Sequence, residues 1–221
     1  MKIYVVGSSK NKFLPLDNIR EKFLVDQKHE GDNIDFLNPW YCELTGLYYL
    51  WKHCDDDIVG MEHYRRYFIN EKSELLSEGE IREILKDHDV ICRKFIFSTD
   101  KIHNQKNAFS FWSIRNLPHL KRFISFLPEN EKTFFNKELT ELPYFAQCNM
   151  FIGKSKIVEE YLNWFLPYAV KFTKEDLFNA PRIIGYISEF LFGAWLKMNG
   201  YKIYWNKSIT FDKNLIKYEK I

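Results

Sequence analysis

The sequence lacks the signals of an exported, membrane-spanning or disulfide-stabilised protein. Its four cysteines are far apart and form no Cys-x-x-Cys pair, which argues against a zinc site or a disulfide framework and favours a reducing compartment. The N-terminal apolar run is too short for a signal peptide, and no stretch holds the roughly 18 apolar residues that a transmembrane helix needs. We therefore expect a soluble, cytoplasmic protein.

Two nucleotide-binding motifs and a strong net charge are also missing. The chain contains neither the G-x-G-x-x-G fingerprint nor the G-K-[ST] of a P-loop. Its net charge is only +2, with basic and acidic residues interspersed, so nothing indicates a nucleic-acid partner. Aromatic residues, by contrast, make up 18% of the chain, which indicates either a thick core or surfaces that stack on sugars or bases.

Predicted strands and helices alternate along the whole chain. A buried strand over residues 2–6 opens into a loop at Gly7, and residues 8–37 are polar and rich in turns. A helix is predicted from Asn38, as N-cap, to about Lys52. Further strands are predicted over residues 58–61, 89–97, 147–152 and 201–205, and further helices over residues 78–86, 109–126, 154–165 and 181–198. This alternation predicts one α/β domain over residues 1–221, with a mostly parallel central sheet flanked by helices.

The most informative stretch is the cluster Glu-His-Tyr-Arg-Arg-Tyr at residues 62–67, directly after the central strand. Open α/β sheets bind ligands at the carboxyl ends of their strands. Each arginine fork can give a phosphate two charge-assisted hydrogen bonds. We therefore predict that Glu62, His63, Arg65 and Arg66 meet an anionic ligand, most simply a diphosphate. The alternative is a structural ion pair between Glu62 and one of the two arginines.

Three aspartates, Asp55 to Asp57, precede the same strand. Aspartate-rich segments can hold a divalent cation, but these residues come at the N-terminal end of the strand, opposite the predicted ligand edge. A solvated turn is the expected structure here. We predict no metal ligand and no required cofactor, because Arg65, Arg66 and His63 would replace the metal that neutralises a leaving diphosphate. Dependence on Mn²⁺ or Mg²⁺ is the alternative.

Glu189 is the only acid in a predicted helix that is apolar on nearly every face. Gly185 and Gly193 beside it would leave room for a ligand, and burial would raise the pKa of its carboxyl toward that of a useful general base. A buried Glu189 that pairs with Arg182 or with a residue outside the helix is the alternative.

Two further polar positions are ambiguous. Glu43 falls at the edge of the apolar stripe of its helix, so it is either paired in the interior or directed into a cleft. The amide side chains of residues 147–150, Gln-Cys-Asn-Met, suit sugar hydroxyls, but turn capping explains them equally well.

Five segments in order give the chain a family resemblance: residues 31–34, 38–45, 60–68, 149–152 and 182–189. Together they resemble motifs of a bacterial family of domains of unknown function, whose members are commonly described as capsular or exopolysaccharide biosynthesis proteins. The resemblance spans about residues 3–200. It implies a glycosyltransferase with a GT-A-like, Rossmann-like fold that uses a nucleotide-activated sugar; some relatives are thought to transfer galactofuranose.

The resemblance also implies partners and roles. The enzyme would move galactofuranose or another hexose, with inversion, from a UDP-sugar to a surface polysaccharide or lipopolysaccharide acceptor, either a glycan or a lipid-linked glycan. It would act in the cytoplasm, at the inner face of the membrane if it associates peripherally. Glu189 would be the catalytic base. The expected donor residues are Val6, Gly7, Asp32, Asn33, Asn38, Tyr41, Glu43, Glu62, His63, Arg65 and Arg66. The expected acceptor residues are Asn149, Met150, Arg182 and Gly185. A non-catalytic carbohydrate-binding module and a sugar-nucleotide hydrolase are the alternatives.

Overall fold

Nine strands form one sheet in the computed structural model, which describes residues 1–93, 118–141, 147–176, 180–211 and 217–220. The strands are β1 (Lys2–Gly7), β2 (Arg20–Leu24), β3 (Ile58–His63), β4 (Arg66–Phe68), β5 (Val90–Arg93), β6 (Phe151–Lys154), β7 (Ile203–Asn206), β8 (Ser208–Phe211) and β9 (Lys217–Lys220). The helices are α1 (Asn38–Tyr41), α2 (Leu44–His53), α3 (Glu78–Asp87), α4 (residues 118–125), α5 (Glu129–Glu141), α6 (Ser155–Asp176) and α7 (Ile183–Met198). Short 3₁₀ turns cover Asp35–Leu37 and Gln147–Asn149.

Six strands lie side by side in the order β2-β1-β3-β6-β5-β7. The other three extend the sheet from the end of β3: β4 pairs with β3, β8 pairs with β4, and β9 pairs with β8. The predicted α/β fold with a central sheet flanked by helices is confirmed. The sheet is mixed, however, rather than mostly parallel. Strand β6 lies between β3 and β5 and runs against both, and β4, β8 and β9 add antiparallel pairs. The parallel pairs are β1 with β2, β1 with β3, and β5 with β7.

Helices cover both faces of the sheet, because successive residues of a buried strand point to opposite sides. Tyr4 and Met61 belong to the larger core, which includes residues of α2 and α4 to α7. Ile3 and Ile58 point the other way and pack in a second core with Ile81 of α3. Within these three layers, β1, β3 and β5 run in the same direction, so their carboxyl ends lie at one edge of the sheet.

The predicted helix over residues 38–52 is in fact two helices. Cys42 has a positive φ of 52°, which ends α1, and α2 begins two residues later. Asn38 is the first residue of α1 rather than its N-cap, so the predicted capping role is wrong. Pro39 is tolerated near the start because the first N–H groups of a helix have no partner within it. The break places Glu43 between two helices.

Other boundaries also differ from the prediction. Strand β2 lies inside the segment predicted to be loops, and α6 continues past Pro167 to Asp176. The strand predicted over residues 147–152 begins only at Phe151, because Cys148 and Asn149 have positive φ angles of 61° and 51°.

Two predictions are confirmed only in part, because they extend into residues that the structure does not describe. The strand predicted over residues 89–97 is β5, and the end of the helix predicted over residues 109–126 is α4. The remainder, residues 94–117, lies outside the described part of the chain. Within the described ranges, no helix is both long and apolar enough to cross a bilayer.

Candidate active site

A cleft of about 670 Å³ lies at the edge of the sheet where β1 and β3 end and β4 begins. Helix α1 and the first two turns of α7 form its other wall. Its volume is in the range of small-molecule sites, roughly 300–1,000 Å³. It is lined by Val6, Gly7, Ser8, Asn11, Val25, Asn38, Pro39, Cys42, Glu43, His63, Tyr64, Arg65, Arg66, Cys148, Arg182, Tyr186 and Glu189.

Two arginines at this edge offer unused hydrogen-bond donors. Strand β3 ends at His63, so the chain turns before the next residues, and Arg65 and Arg66 both reach the cleft. The Nε atoms of both arginines are buried and have no hydrogen-bond partner among the described residues. An unpaired buried donor costs about 1–3 kcal/mol, so these N–H groups favour an acceptor such as a phosphate oxygen.

His63 lines the cleft but is not a cation. Its Nε2 lies 2.7 Å from the carbonyl oxygen of Cys148, and a carbonyl only accepts, so Nε2 carries the hydrogen. Burial first, and then the charge of Arg66, lowers the pKa of His63 to about 3. The prediction that His63 contributes positive charge is therefore wrong. The arginines supply the positive charge at this edge.

Two buried carboxyl groups, Glu43 and Glu189, line the opposite wall. Burial first, and then the negative charge of Glu43, raises the pKa of Glu189 to about 8, against a hydrogen bond from the backbone of Cys148 and the charges of Arg66 and Arg182. Burial also raises the pKa of Glu43, against hydrogen bonds from its own backbone and from Asn149. A carboxyl that titrates near neutral pH in a cleft suits a general base.

Comparison with known proteins identifies the family. The chain matches a domain of unknown function, DUF4422, over residues 2–200. It belongs to the DUF4422 family. No curated protein matches the sequence. The predicted resemblance to a family of domains of unknown function is confirmed at this level; the link to capsule and exopolysaccharide synthesis stays a prediction.

A solved structure shows which fold this DUF4422 domain has. It is described as a WbbM bifunctional glycosyltransferase in its apo form, and it superposes with a TM-score of 0.72 at 23% sequence identity. The match covers 94% of this chain and 44% of that one, so the domain spans less than half of that protein. The shared fold is therefore that of a part of a glycosyltransferase.

Glu62, predicted to bind the donor, lies outside the cleft of the DUF4422 domain. Its side chain is fully buried, and it accepts hydrogen bonds from Arg20 Nε at 2.7 Å and from the backbone N–H of Phe68 at 2.9 Å. The alternative, an ion pair with Arg65 or Arg66, is also wrong, because the partner is Arg20 on β2. Glu62 is therefore a buried structural residue that does not line the cleft.

Three other predicted donor residues do not line the cleft. Asp32 is exposed and accepts a hydrogen bond from the hydroxyl of Tyr48 at 2.9 Å. The amide of Asn33 donates to the carbonyls of His29 and Gly31 in its own loop. Tyr41 is fully buried in the core. The predicted donor residues that do line it are Val6, Gly7, Asn38, Glu43, His63, Arg65 and Arg66.

Of the four predicted acceptor residues, Arg182 alone lines the cleft. Met150 is fully buried in the second core, and the amide of Asn149 is occupied by hydrogen bonds inside the wall. Gly185 does not make room for a ligand. A Cβ added there would lie 3.2 Å from the Cβ of Cys42, so this glycine instead allows α1 to approach α7 closely.

The alternative partner of Glu189 is engaged elsewhere. The guanidinium of Arg182 lies 5.3 Å from the centre of the Tyr186 ring, and it also interacts with the thiol of Cys42. The charge of Arg182 has a smaller effect on the pKa of Glu189 than burial or Glu43 has. Tyr186, three residues before Glu189, adds an aromatic ring to the cleft wall.

Unusual backbone conformations gather around the cleft. Among the described residues, four of the five non-glycine residues with positive φ are Cys42, Cys148, Asn149 and Arg182. Such conformations cost about 1–3 kcal/mol each and concentrate at functional sites. Sequence reasoning missed Cys42 and Cys148 as cleft residues, because no sequence pattern indicates a left-handed conformation at a cysteine.

The three aspartates lie at the opposite end of β3, as predicted. Asp56 pairs with the amino group of Met1, and Asp57 lies 3.3 Å from Arg82. The described residues contain no group of three or more His, Cys, Asp or Glu side chains placed to hold a metal. Metal independence stays a prediction.

Proposed function

We propose that this protein is a glycosyltransferase that moves a sugar from a nucleotide diphosphate donor to a hydroxyl group of an acceptor. The arrangement of the cleft carries the proposal. Arg65 and Arg66, whose buried Nε–H groups have no partner among the described residues, line it on one side, and a carboxyl with a pKa of about 8 lines it on the other. The first feature suits a diphosphate, and the second suits proton removal from a hydroxyl. The fold shared with a glycosyltransferase supports it.

The chemical step follows from these roles. The Glu189 carboxylate takes the proton of the acceptor hydroxyl while the hydroxyl oxygen bonds to the anomeric carbon. The bond from that carbon to the diphosphate oxygen breaks, and its electron pair leaves with the nucleoside diphosphate. Arg65 and Arg66 stabilise the charge that develops there. Attack opposite the leaving group inverts the anomeric configuration.

The finer proposal rests on the family resemblance. The domain is GT-A-like, the donor is a UDP-sugar carrying galactofuranose or another hexose, and the acceptor is a growing surface polysaccharide or lipopolysaccharide. The reaction takes place in the cytoplasm, at the inner face of the membrane.

Calorimetry with UDP, other nucleoside diphosphates and nucleotide sugars, followed by an assay of sugar transfer, tests the function. We expect binding and transfer. A donor that is cleaved only to water would instead indicate a sugar-nucleotide hydrolase, and glycan binding without nucleotide binding would indicate a carbohydrate-binding module. The absence of nucleotide binding even at millimolar concentration would contradict the proposal.

Asp32→Ala should leave donor affinity within about twofold of the wild type, because exposed positions away from a site change free energies by about 0.5 kcal/mol or less. Asp32 bonds to Tyr48 on the surface and does not line the cleft. The measurement is calorimetry with UDP, and Arg65→Gln, which removes a cleft cation, is the positive control. A tenfold or larger loss of donor affinity in Asp32→Ala would show that Asp32 belongs to the donor site.

Treatment with EDTA should change the rate of transfer by less than about twofold, because arginine cations stabilise the leaving diphosphate in place of a metal. The measurement compares initial rates after EDTA treatment with rates after Mn²⁺ or Mg²⁺ is added back. Activity that disappears with EDTA and returns with Mn²⁺ would contradict the prediction and make Asp55 to Asp57 candidate ligands again.

A further inference from the structure

A chain of hydrogen bonds runs through the protein interior to Glu43. The hydroxyl oxygens of Tyr161 on α6 and Ser188 on α7 are 2.8 Å apart, and Ser188 Oγ is 2.8 Å from Asn149 Oδ1. Asn149 Nδ2 is in turn 2.8 Å from Glu43 Oε1. All four side chains are buried, and only Glu43 lines the cleft. The proposed reaction uses none of the other three.

The chemistry of the groups determines the direction of each hydrogen bond. Asn149 Oδ1 can only accept, so Ser188 gives it its single hydrogen, and the hydroxyl of Tyr161 must then donate to Ser188. Asn149 Nδ2 uses its two hydrogens on Glu43 and on the carbonyl of Gly185, 3.2 Å away. If the Asn149 amide were flipped, its oxygen would face two acceptors, the Glu43 carboxylate and the Gly185 carbonyl, and could hydrogen-bond to neither. The chain therefore always presents an N–H group to Glu43.

The backbone at the centre of this chain is held in an unfavourable conformation. Asn149 and its neighbour Cys148 both have positive φ. Such conformations persist only where interactions with the surrounding structure hold them in place. Here the 3₁₀ turn before β6 brings the Asn149 amide between α7 and Glu43.

Glu43 and Glu189 differ in their hydrogen-bond donors. Glu43 accepts a hydrogen bond from the side-chain amide of Asn149 at 2.8 Å, whereas among the described residues no side chain donates one to Glu189. The other charged or titratable groups around the pair are Arg66 on β4, Arg93 on β5, Arg182 before α7, Tyr186 on α7, His63 on β3 and the thiols of Cys42 and Cys148.

The arginine charges around the pair act on both carboxyls, apart from Arg93, whose charge acts on Glu189. Burial raises the pKa of each thiol to about 12, so the thiols are neutral, as is His63. The charges of Arg66 and Arg182 favour ionisation of both carboxyls. The hydrogen bond from the Asn149 amide favours Glu43 as the ionised member of the pair.

We propose that the chain from Tyr161 through Ser188 and Asn149 holds Glu43 as an anion, so that the carboxyl pair carries one proton near neutral pH and that proton resides on Glu189. Two neighbouring carboxylates in a buried site do not both ionise readily. Glu43 is then a positioning residue, whose charge sets the pH at which Glu189 becomes available as a base. This consequence for activity rests on the proposed function, whereas the location of the proton does not.

Infrared spectroscopy of the free protein tests where the proton resides. Between about pH 6 and about pH 9.5 exposed carboxyl groups are ionised, so the C=O band of a protonated carboxyl reports buried acids. We expect a band that disappears near pH 8 in the wild type, that is missing in Glu189→Gln, and that disappears at least about one pH unit lower in Glu43→Gln. Glu62 and Glu138 are also buried, and the spectra of Glu62→Gln and Glu138→Gln distinguish their contributions.

The same variants predict shifts in the pH dependence of transfer. The transfer rate should rise with pH as Glu189 loses its proton, and this rise is the rising limb of the pH profile. Glu43→Gln should lower the midpoint of the rising limb by at least about one pH unit, because Glu189 loses a neighbouring negative charge. Ser188→Ala should shift it in the same direction by a smaller amount, because the Asn149 amide loses the donor that holds it. Ser188→Thr, which keeps the hydroxyl, should restore the wild-type midpoint.

Thr173→Val is the matched control. It removes another buried hydroxyl, which is on α6 and donates to the carbonyl of Val170 rather than to the chain. Its midpoint should equal that of the wild type. If Ser188→Ala does not fold, the shift expected in Glu43→Gln still decides the matter.

Three results would overturn the proposal: a wild-type protein without the band, a band that is lost in Glu43→Gln but kept in Glu189→Gln, or an unchanged midpoint in Glu43→Gln. A uniform loss of activity and of melting temperature in Ser188→Ala, without a shift of the limb, would assign the chain a structural role only. The expected infrared behaviour together with no transfer to any acceptor would instead leave the proton assignment standing and overturn the proposed function alone.

Discussion

Glu189→Gln should lower turnover by about 100- to 10,000-fold while changing donor affinity by less than about threefold. Glutamine has nearly the same shape but cannot take the proton of the acceptor hydroxyl. Glu189 is buried in the cleft wall, where the pKa of its carboxyl is raised to about 8. The measurements are kcat and KM at saturating donor, and calorimetry with UDP.

The wild-type rate should rise with pH through about 8, because the base acts in its deprotonated form. Stability should change in the opposite direction. The unfolded protein releases this proton near pH 4.5, whereas the folded protein keeps it to about pH 8, so the free energy of unfolding falls between those values. Glu189→Gln cannot ionise, so it avoids this fall in the free energy of unfolding. The melting temperature of the variant should therefore exceed that of the wild type above about pH 8.

A structural role for Glu189 predicts a different outcome. If the carboxylate mainly held Arg182, the glutamine variant would melt at a lower temperature and lose donor affinity along with activity. Arg182 instead contacts Cys42 and the ring of Tyr186. If turnover stays within about threefold of the wild type, Glu189 is not the base, and Glu43 becomes the next candidate.

Arg66→Gln should lower kcat/KM by roughly 30- to 1,000-fold, the equivalent of about 2–4 kcal/mol of transition-state stabilisation. The Nε of Arg66 is buried in the cleft and has no hydrogen-bond partner among the described residues, so a leaving diphosphate would satisfy it. Arg66→Lys keeps the charge without the planar fork, and its loss should be smaller. The measurements are kcat/KM and donor affinity in both variants.

Arg66→Gln should also shift the pH dependence of the transfer rate in a defined direction. The charge of Arg66 opposes the rise in the pKa of Glu189, so its removal should move the rising limb to higher pH. Glu43→Gln should move it in the opposite direction. A kcat/KM within about threefold of the wild type in Arg66→Gln would exclude Arg66 from the diphosphate site.

Local sequence patterns were sufficient for much of the fold. The apolar run of β1 and the apolar helix α7 could be recognised because their burial follows directly from composition. Helix α3 was predicted over residues 78–86 and is confirmed over Glu78–Asp87, where Ser77 and Glu80 form a capping box. Strand β2 could not be recognised. Its sequence is largely polar, and it is a strand because its backbone pairs with β1 at the edge of the sheet.

The same distinction holds for the cleft. The sequence by itself determined that Arg65 and Arg66 follow a buried strand and that Glu189 is the lone acid of an apolar helix, because both depend on neighbours along the chain. Only the tertiary structure decided which polar groups pair. Glu62 binds Arg20 across 42 positions, and Asn149 binds Glu43 across 106 positions. Periodicity shows which side of an element is buried, whereas the partner of a buried polar group depends on the element that packs against it.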